Sequence, residues 1–199
     1  MYEQSKAAKR RFTDGAFHTR YFVGEGIDIG AGPDPLSQYL TIFPLLKRAD
    51  PWDMEHGDAQ TMKGVPDGRF DFVHSSHTLE HMQDPRIALA NWARIVKPGG
   101  YLIITVPDED LYEHGHWPSR YNPDHLWSFT ICKAASTMPK SINVVDLARE
   151  FGDRLELERL VLVRDFFRKD IPPDTDQTAT FAAECAIEII WRKRGGENA

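Results

Sequence analysis

The residues able to do chemistry fall into separate groups along the chain. Asp28-Ile29-Gly30-Ala31-Gly32 sets an acid two residues ahead of a glycine turn. Glycines at 30 and 32 let the backbone bend sharply and approach a ligand, because no Cβ stands in the way. A dinucleotide-binding turn reads G-x-G-x-x-G/A and seats a pyrophosphate on the following helix N-terminus. Here Pro35 stands at the third small position, and a fixed carboxylate at Asp28 would repel a pyrophosphate. The turn suits a cationic, amino-acid-bearing ligand instead. His77-Thr78-Leu79-Glu80-His81 reads H-x-x-E-H. On a helix, two histidines four apart can share a zinc ion while the glutamate activates water. The stretch from Asp108 to Trp127 carries Asp108, Glu109, Asp110, Tyr112, His114, His116, Arg120, Tyr121 and His125. Long segments of such content over a ligand edge are more often functional than not.

These groups need elements to hold them. Residues 3–12 read as a short amphipathic helix, 25–30 as a strand, and 36–43 as a helix started by a proline-rich turn. Residues 70–75 form a near-continuous apolar run, as in a parallel strand covered on both faces. A helix from Pro85 to Val96 begins with proline in its first turn, and Gly99-Gly100 stops it before a strand at 101–107. Residues 143–151 read as a capped helix ending at Gly152. Strands at 155–163 and 183–192 follow, joined by a polar segment, 168–180, that contains Pro172-Pro173. Alternating strands and helices predict an α/β doubly wound sheet with right-handed crossovers. Ligands in such sheets sit beyond the carboxyl ends of the strands at the switch point. That geometry puts Gly30 to Gly32, Asp50, Asp58 and Ser76-His77 on one rim.

The order of these pieces resembles the class I S-adenosylmethionine (SAM) methyltransferases, in particular the type 11-like members. Asp28-x-Gly30-x-Gly32 is similar to their first motif, and Gly57-Asp58-Ala59-Gln60 to their G-D-A turn. Phe70 to His81 resembles their fourth strand with the segment that closes over SAM, and Arg94 to Pro107 their R-h-L-K-P-G-G turn and fifth strand. The resemblance is continuous over 24–107. It implies a Rossmann-like, mostly parallel sheet with an antiparallel strand pair at the C-terminal end. It further implies that Asp28 with Gly30, Ala31 and Gly32 holds the methionine moiety, that Asp50 holds the ribose, that Asp58 with Ala59 meets the adenine, and that Ser76 touches the cofactor. Asp53 rivals Asp50, because the second strand is short and polar. Asp34 departs from the pattern, since many members carry a third glycine there.

The implied reaction is methyl transfer from SAM to an oxygen or nitrogen of a small polar acceptor, such as a sugar or secondary metabolite. An alcohol or amine acceptor must lose a proton, and histidine titrates in the right range. His77 and His125 are the candidates, while His74 reads as a hydrogen-bonded core residue and His81 as structural. The stretch from His125 to Thr130 is similar to one that precedes a substrate-side helix in many relatives. The strand-end context argues against a zinc hydrolase using His77, Glu80 and His81, and no resident metal is expected. The aspartate with which some relatives bind a divalent metal after the fourth strand is absent, although His77, Asp108 and nearby histidines could serve in its place, so metal assistance stays open. A SAM-binding module without catalysis is the other alternative.

The 199 residues fit one domain, with residues 1–23 as a helical lead-in and 108–140 as an acceptor-side lid with a helix. A net charge of −6 without long basic runs argues against a nucleic-acid enzyme. Cys132 and Cys185 fall in a predicted helix and strand and read as buried free thiols, too few for a disulfide framework. Met1 to Lys6 has no apolar leader core and no stretch is long enough for a membrane span, so a cytoplasmic location is expected. Oligomeric state is not legible.

Overall fold

The computed structural model describes residues 3–172 and 174–195. Met1, Tyr2, Pro173 and 196–199, touched by the leader, loop and domain readings, lie outside the described residues. In chain order the elements are α1 (Glu3–Phe12), β1 (Gly24–Ile29), β2 (Leu46–Trp52), β3 (Phe70–Ser76), α2 (Pro85–Ile95) and β4 (Val96–Pro107). There follow β5 (Ser128–Thr130), β6 (Ser141–Asn143), α3 (Val144–Glu150), β7 (Leu155–Val163) and β8 (Ala186–Lys193).

The main sheet runs β2-β1-β3-β4-β8-β7. Pairings from β2 through β4 are parallel, and β8 is antiparallel to both β4 and β7. This is the expected doubly wound sheet with its antiparallel C-terminal pair. Alternate residues of a strand face opposite sides, and β3 shows it: Phe72 packs with Phe17, Phe22, Phe43 and Ile190, while Val73 packs with Leu89, Trp92, Leu102 and Ile189. The first layer is built by the N-terminal lead-in and the second by α2 and α3. Asp84 caps α2 by accepting from the amides of Arg86 and Ile87, and Asn143 caps α3 in the same way. Strand order reverses between β1 and β3, so their carboxyl ends open a crevice.

Several expectations are corrected. The helix expected at 36–43 is one 3-10 turn, Leu36–Tyr39. β-Branched Thr41 and Ile42 weaken it, and Phe43 precedes Pro44, which disfavours helical backbone. The second strand, read as short and polar, runs through Asp50 and Pro51 to Trp52. It lies at the sheet edge, where a proline lacking its N–H breaks no ladder. The 108–140 segment contains β5 and turns but no helix. Cys132 is exposed in a bend after β5 rather than buried in a helix, whereas Cys185 is a buried free thiol just ahead of β8.

Candidate active site

The glycine turn follows β1 directly. Gly30 has φ +75°, and a Cβ there would lie 1.8 Å from the Thr78 hydroxyl, so no other residue fits. Asp28 is buried behind the turn. One of its oxygens accepts from the Leu36 amide at 2.7 Å and the other from His74 Nδ1 at 2.6 Å. Arg11 reaches His74 Nε2 at 3.2 Å. A guanidinium only donates, so Nε2 is the acceptor and Nδ1 carries the proton given to Asp28. Both oxygens of Asp28 therefore hold the fold, and each can still accept a further bond from a ligand. His74 is the hydrogen-bonded core residue it was expected to be.

Two connected hollows open beyond the strand ends. The inner one, about 200 Å³, is lined by Asp28, Gly30 to Gly32, Ser76, His77, Glu80, His81, Tyr112 and His125, with Glu3 and Gln4 of α1 above. The outer one, about 670 Å³, lies between Trp52, Asp53, Asp58, Ala59 and Met82. Gly30, His77 and His81 border both. Asp50 borders neither: it sits within β2, opposite Ile27, with its carboxylate on Arg48. The acid at the end of β2 is Asp53, and its carboxylate accepts from the Gly32 amide at 2.9 Å. Asp58 accepts from the Gln60 amide and the Thr61 hydroxyl, and the first of these holds its pKa below the usual range.

His77 leaves β3 at φ +53°, a strained value for a residue with a side chain. Its Nδ1 lies 3.6 Å from Glu80, which is fully buried. Burial opposes charge on His77, but the Glu80 carboxylate prevails and raises the imidazole pKa. Burial would likewise lift the pKa of Glu80, yet the imidazoles of His77, His125 and His81 draw it below the ordinary value. His125 donates from Nδ1 to Glu113 at 2.7 Å, and its Nε2 lies 3.9 Å from Glu80. Residues 79–81 form a 3-10 turn rather than an α-helix, so the i, i+4 face of a zinc motif does not exist. His77 meets Glu80, but it is His125 that has a ligand atom within 4.8 Å of both Glu80 and His81.

The inner wall holds an excess of unmatched polar groups. Both amide atoms of Gln4, the Ser76 and Tyr112 hydroxyls and both Glu80 oxygens are buried without a hydrogen bond among the described residues. Buried polar groups are normally paired, so a polar molecule bound in this hollow would find partners here. The glycine turn, with Asp53 and Asp58 on the outer groove, fits an amino-acid-bearing nucleoside, and no helix of the described residues is long and apolar enough to cross a membrane. Gln4 was missed in the sequence. Its signal was polarity on the inward stripe Gln4-Ala7-Ala8-Arg11 of α1, all buried.

A methyltransferase-domain family model matches residues 5–151. An uncharacterized methyltransferase of Mycobacterium bovis is 31% identical over 127 residues, covering 55% of this chain and 60% of its own. An O-methyltransferase of Aspergillus sclerotiorum is 35% identical over 89 residues, 45% of this chain and 31% of its own. The matches span between 16% and 60% of the curated relatives' lengths. A SAM-dependent methyltransferase from Archaeoglobus fulgidus shares the fold at TM-score 0.58 and 17% identity, over 97% of this chain and 95% of that one. The chain belongs to the methyltransferase-domain family, and family and fold together imply S-adenosyl-L-methionine as its cofactor.

Proposed function

We propose that this chain transfers a methyl group from SAM to an oxygen or nitrogen of a small polar acceptor. The observation that carries the reading is the set of unpartnered buried polar groups facing a hollow beside the glycine turn. Bound there, the cofactor supplies an electrophilic methyl carbon on a sulfonium. Asp28 and the backbone of Gly30, Ala31 and Gly32 hold its amino-acid end, and Ser76 offers a free hydroxyl. Asp53, rather than Asp50, takes the ribose hydroxyls, because it alone of the two borders the groove. Asp58 and Ala59 flank the adenine.

His77 and His125 handle the acceptor's proton. Glu113 fixes the tautomer of His125 and leaves Nε2 as its basic atom, as an orienting carboxylate does for a catalytic imidazole. The 108–140 segment forms the acceptor side, contributing Tyr112, Asn122 and His125 to the wall. A hollow of about 200 Å³ shared with the methionine moiety admits only a small reacting group. An O-methyltransferase among the relatives supports oxygen as the methylated atom. The acidic net charge supports a small molecule over a nucleic acid.

The test is a radiolabelled-methyl assay against a panel of small alcohols, sugars and amines. His77→Ala should lower kcat by about a hundredfold, the usual worth of a positioned base, with unchanged S-adenosylhomocysteine affinity. Unaltered turnover in both His77→Ala and His125→Ala would sink the proton-handling roles.

A further inference from the structure

We propose that Glu80, His81 and His125 bind one divalent transition-metal ion on the acceptor side of the inner hollow. This rests on reading that hollow as the methyl-transfer site. One ligand atom from each residue lies within 4.8 Å of the others. Three ligands held at about 2.0–2.2 Å around one tetrahedral ion lie roughly 3.3–3.6 Å apart. The three groups must therefore each draw in by up to about 1 Å to close on an ion.

Independent features point to an ion. Glu80 is 0% exposed, and neither carboxylate oxygen has a hydrogen bond among the described residues. Its nearest groups are the imidazoles of His77 and His125, at 3.6 and 3.9 Å, and an ion would supply the direct contact that neither makes. The two histidines are already set as ligands. His81 Nδ1 lies 3.0 Å from the Asp124 carbonyl, which can only accept, so that nitrogen carries the proton. His125 Nδ1 meets the Glu113 carboxylate at 2.7 Å. Each ring thus keeps its lone pair on Nε2, and each is oriented by an outer oxygen as metal-bound histidines commonly are. Finally, the Glu80 carbonyl accepts from the amides of Leu126 and Trp127, at 2.9 and 3.2 Å. That pair of bonds clamps the loop bearing His125 onto the turn bearing Glu80 and His81.

Two imidazoles and one carboxylate suit zinc, manganese, cobalt or iron better than magnesium or calcium, which prefer oxygen alone. Three protein ligands leave coordination positions open. An acceptor hydroxyl taken into one of them loses its proton more readily. The O–H bond breaks with its electron pair kept on oxygen, and the proton passes to His77. His125 then serves as a ligand while His77 is the proton acceptor, which favours oxygen over nitrogen as the methylated atom.

The experiment titrates chelator-treated protein with Co²⁺, following visible d–d bands and the thermal melt. One Co²⁺ per chain, with the melt raised on binding, is expected. Glu80→Gln and His81→Gln should each weaken Co²⁺ by about a hundredfold or more, and Glu113→Gln by about tenfold. His114→Ala, outside the cluster, should leave it unchanged. No bands and no rise in the melt, or equal affinity in a folded Glu80→Gln variant, would overturn the site. Titration of the same samples with S-adenosylhomocysteine separates the readings. Co²⁺ binding without it would keep the metal site and remove methyl transfer; the reverse would remove only the metal site.

Discussion

Two buried polar clusters meet at Asp28, and they are built on opposite terms. Behind it, Arg11 is fully buried against Glu188, with Nε to carboxylate at 2.9 Å, and also reaches His74 and Thr105. Arg10 bonds both Glu184 and Glu188, and Arg159 lies 3.5 Å from the second Glu188 oxygen. Every charge there meets an opposite one. In front of Asp28, the buried Gln4, Glu80 and Tyr112 and the half-buried Ser76 have side chains that lack hydrogen bonds among the described residues. A charge-paired network, complete but for the Glu188 oxygen that faces Arg159 without a hydrogen bond, fixes the register of α1 on β8, whereas the more sparsely bonded wall costs stability unless a ligand completes it. The first cluster is architecture, and the second is the wall proposed to take the ligands.

The largest effect should come from breaking the satisfied side. Arg11→Met leaves Glu188 short of its closest partner and should cost about 3–5 kcal/mol of stability in urea unfolding. A loss below about 1 kcal/mol would mean that the network is incidental. Acid should reveal the same residue. Burial opposes its charge, but Arg11 and Arg10 hold the Glu188 pKa down at about 2, against an ordinary 4.5. A depressed carboxylate stabilises above its unfolded pKa, so about 3 kcal/mol should disappear as pH falls from 4.5 toward 2. Unfolding free energy measured across that window should lose this slope in Glu188→Gln. On the wall the sign reverses. Glu80→Gln should keep the melting temperature or raise it while methyl transfer falls by about a hundredfold, and a marked loss of stability would move Glu80 to the architectural side.

The parts legible in the sequence were those with strong local patterns. The apolar run of β3, the proline and aspartate that start α2, and the asparagine cap of α3 each specify an element by themselves. Strand β2 reads as short and polar, and its run through Pro51 to Trp52 is tolerated because it lies at the sheet edge. The same extension leaves Asp50 within the strand and brings Asp53, its rival, to the groove. The sheet geometry and the family resemblance put the glycine turn, His77 and Asp50 on the rim, and the structure brings the first two, but not Asp50, to the hollow. Contacts between distant segments were not legible. Neither Gln4 over the glycine turn nor His125 against Glu80 leaves a local trace, since each depends on how α1 and the 108–140 loop fold back.

The assignment of the hollow is tested most directly by isothermal titration with S-adenosylhomocysteine, comparing Asp53→Ala with Asp50→Ala. Loss of contact to two ribose hydroxyls should exceed about 1.4 kcal/mol, so Asp53→Ala should weaken binding more than about tenfold while Asp50→Ala leaves it unchanged. Equal affinities in the two variants, or the loss confined to Asp50→Ala, would contradict the account.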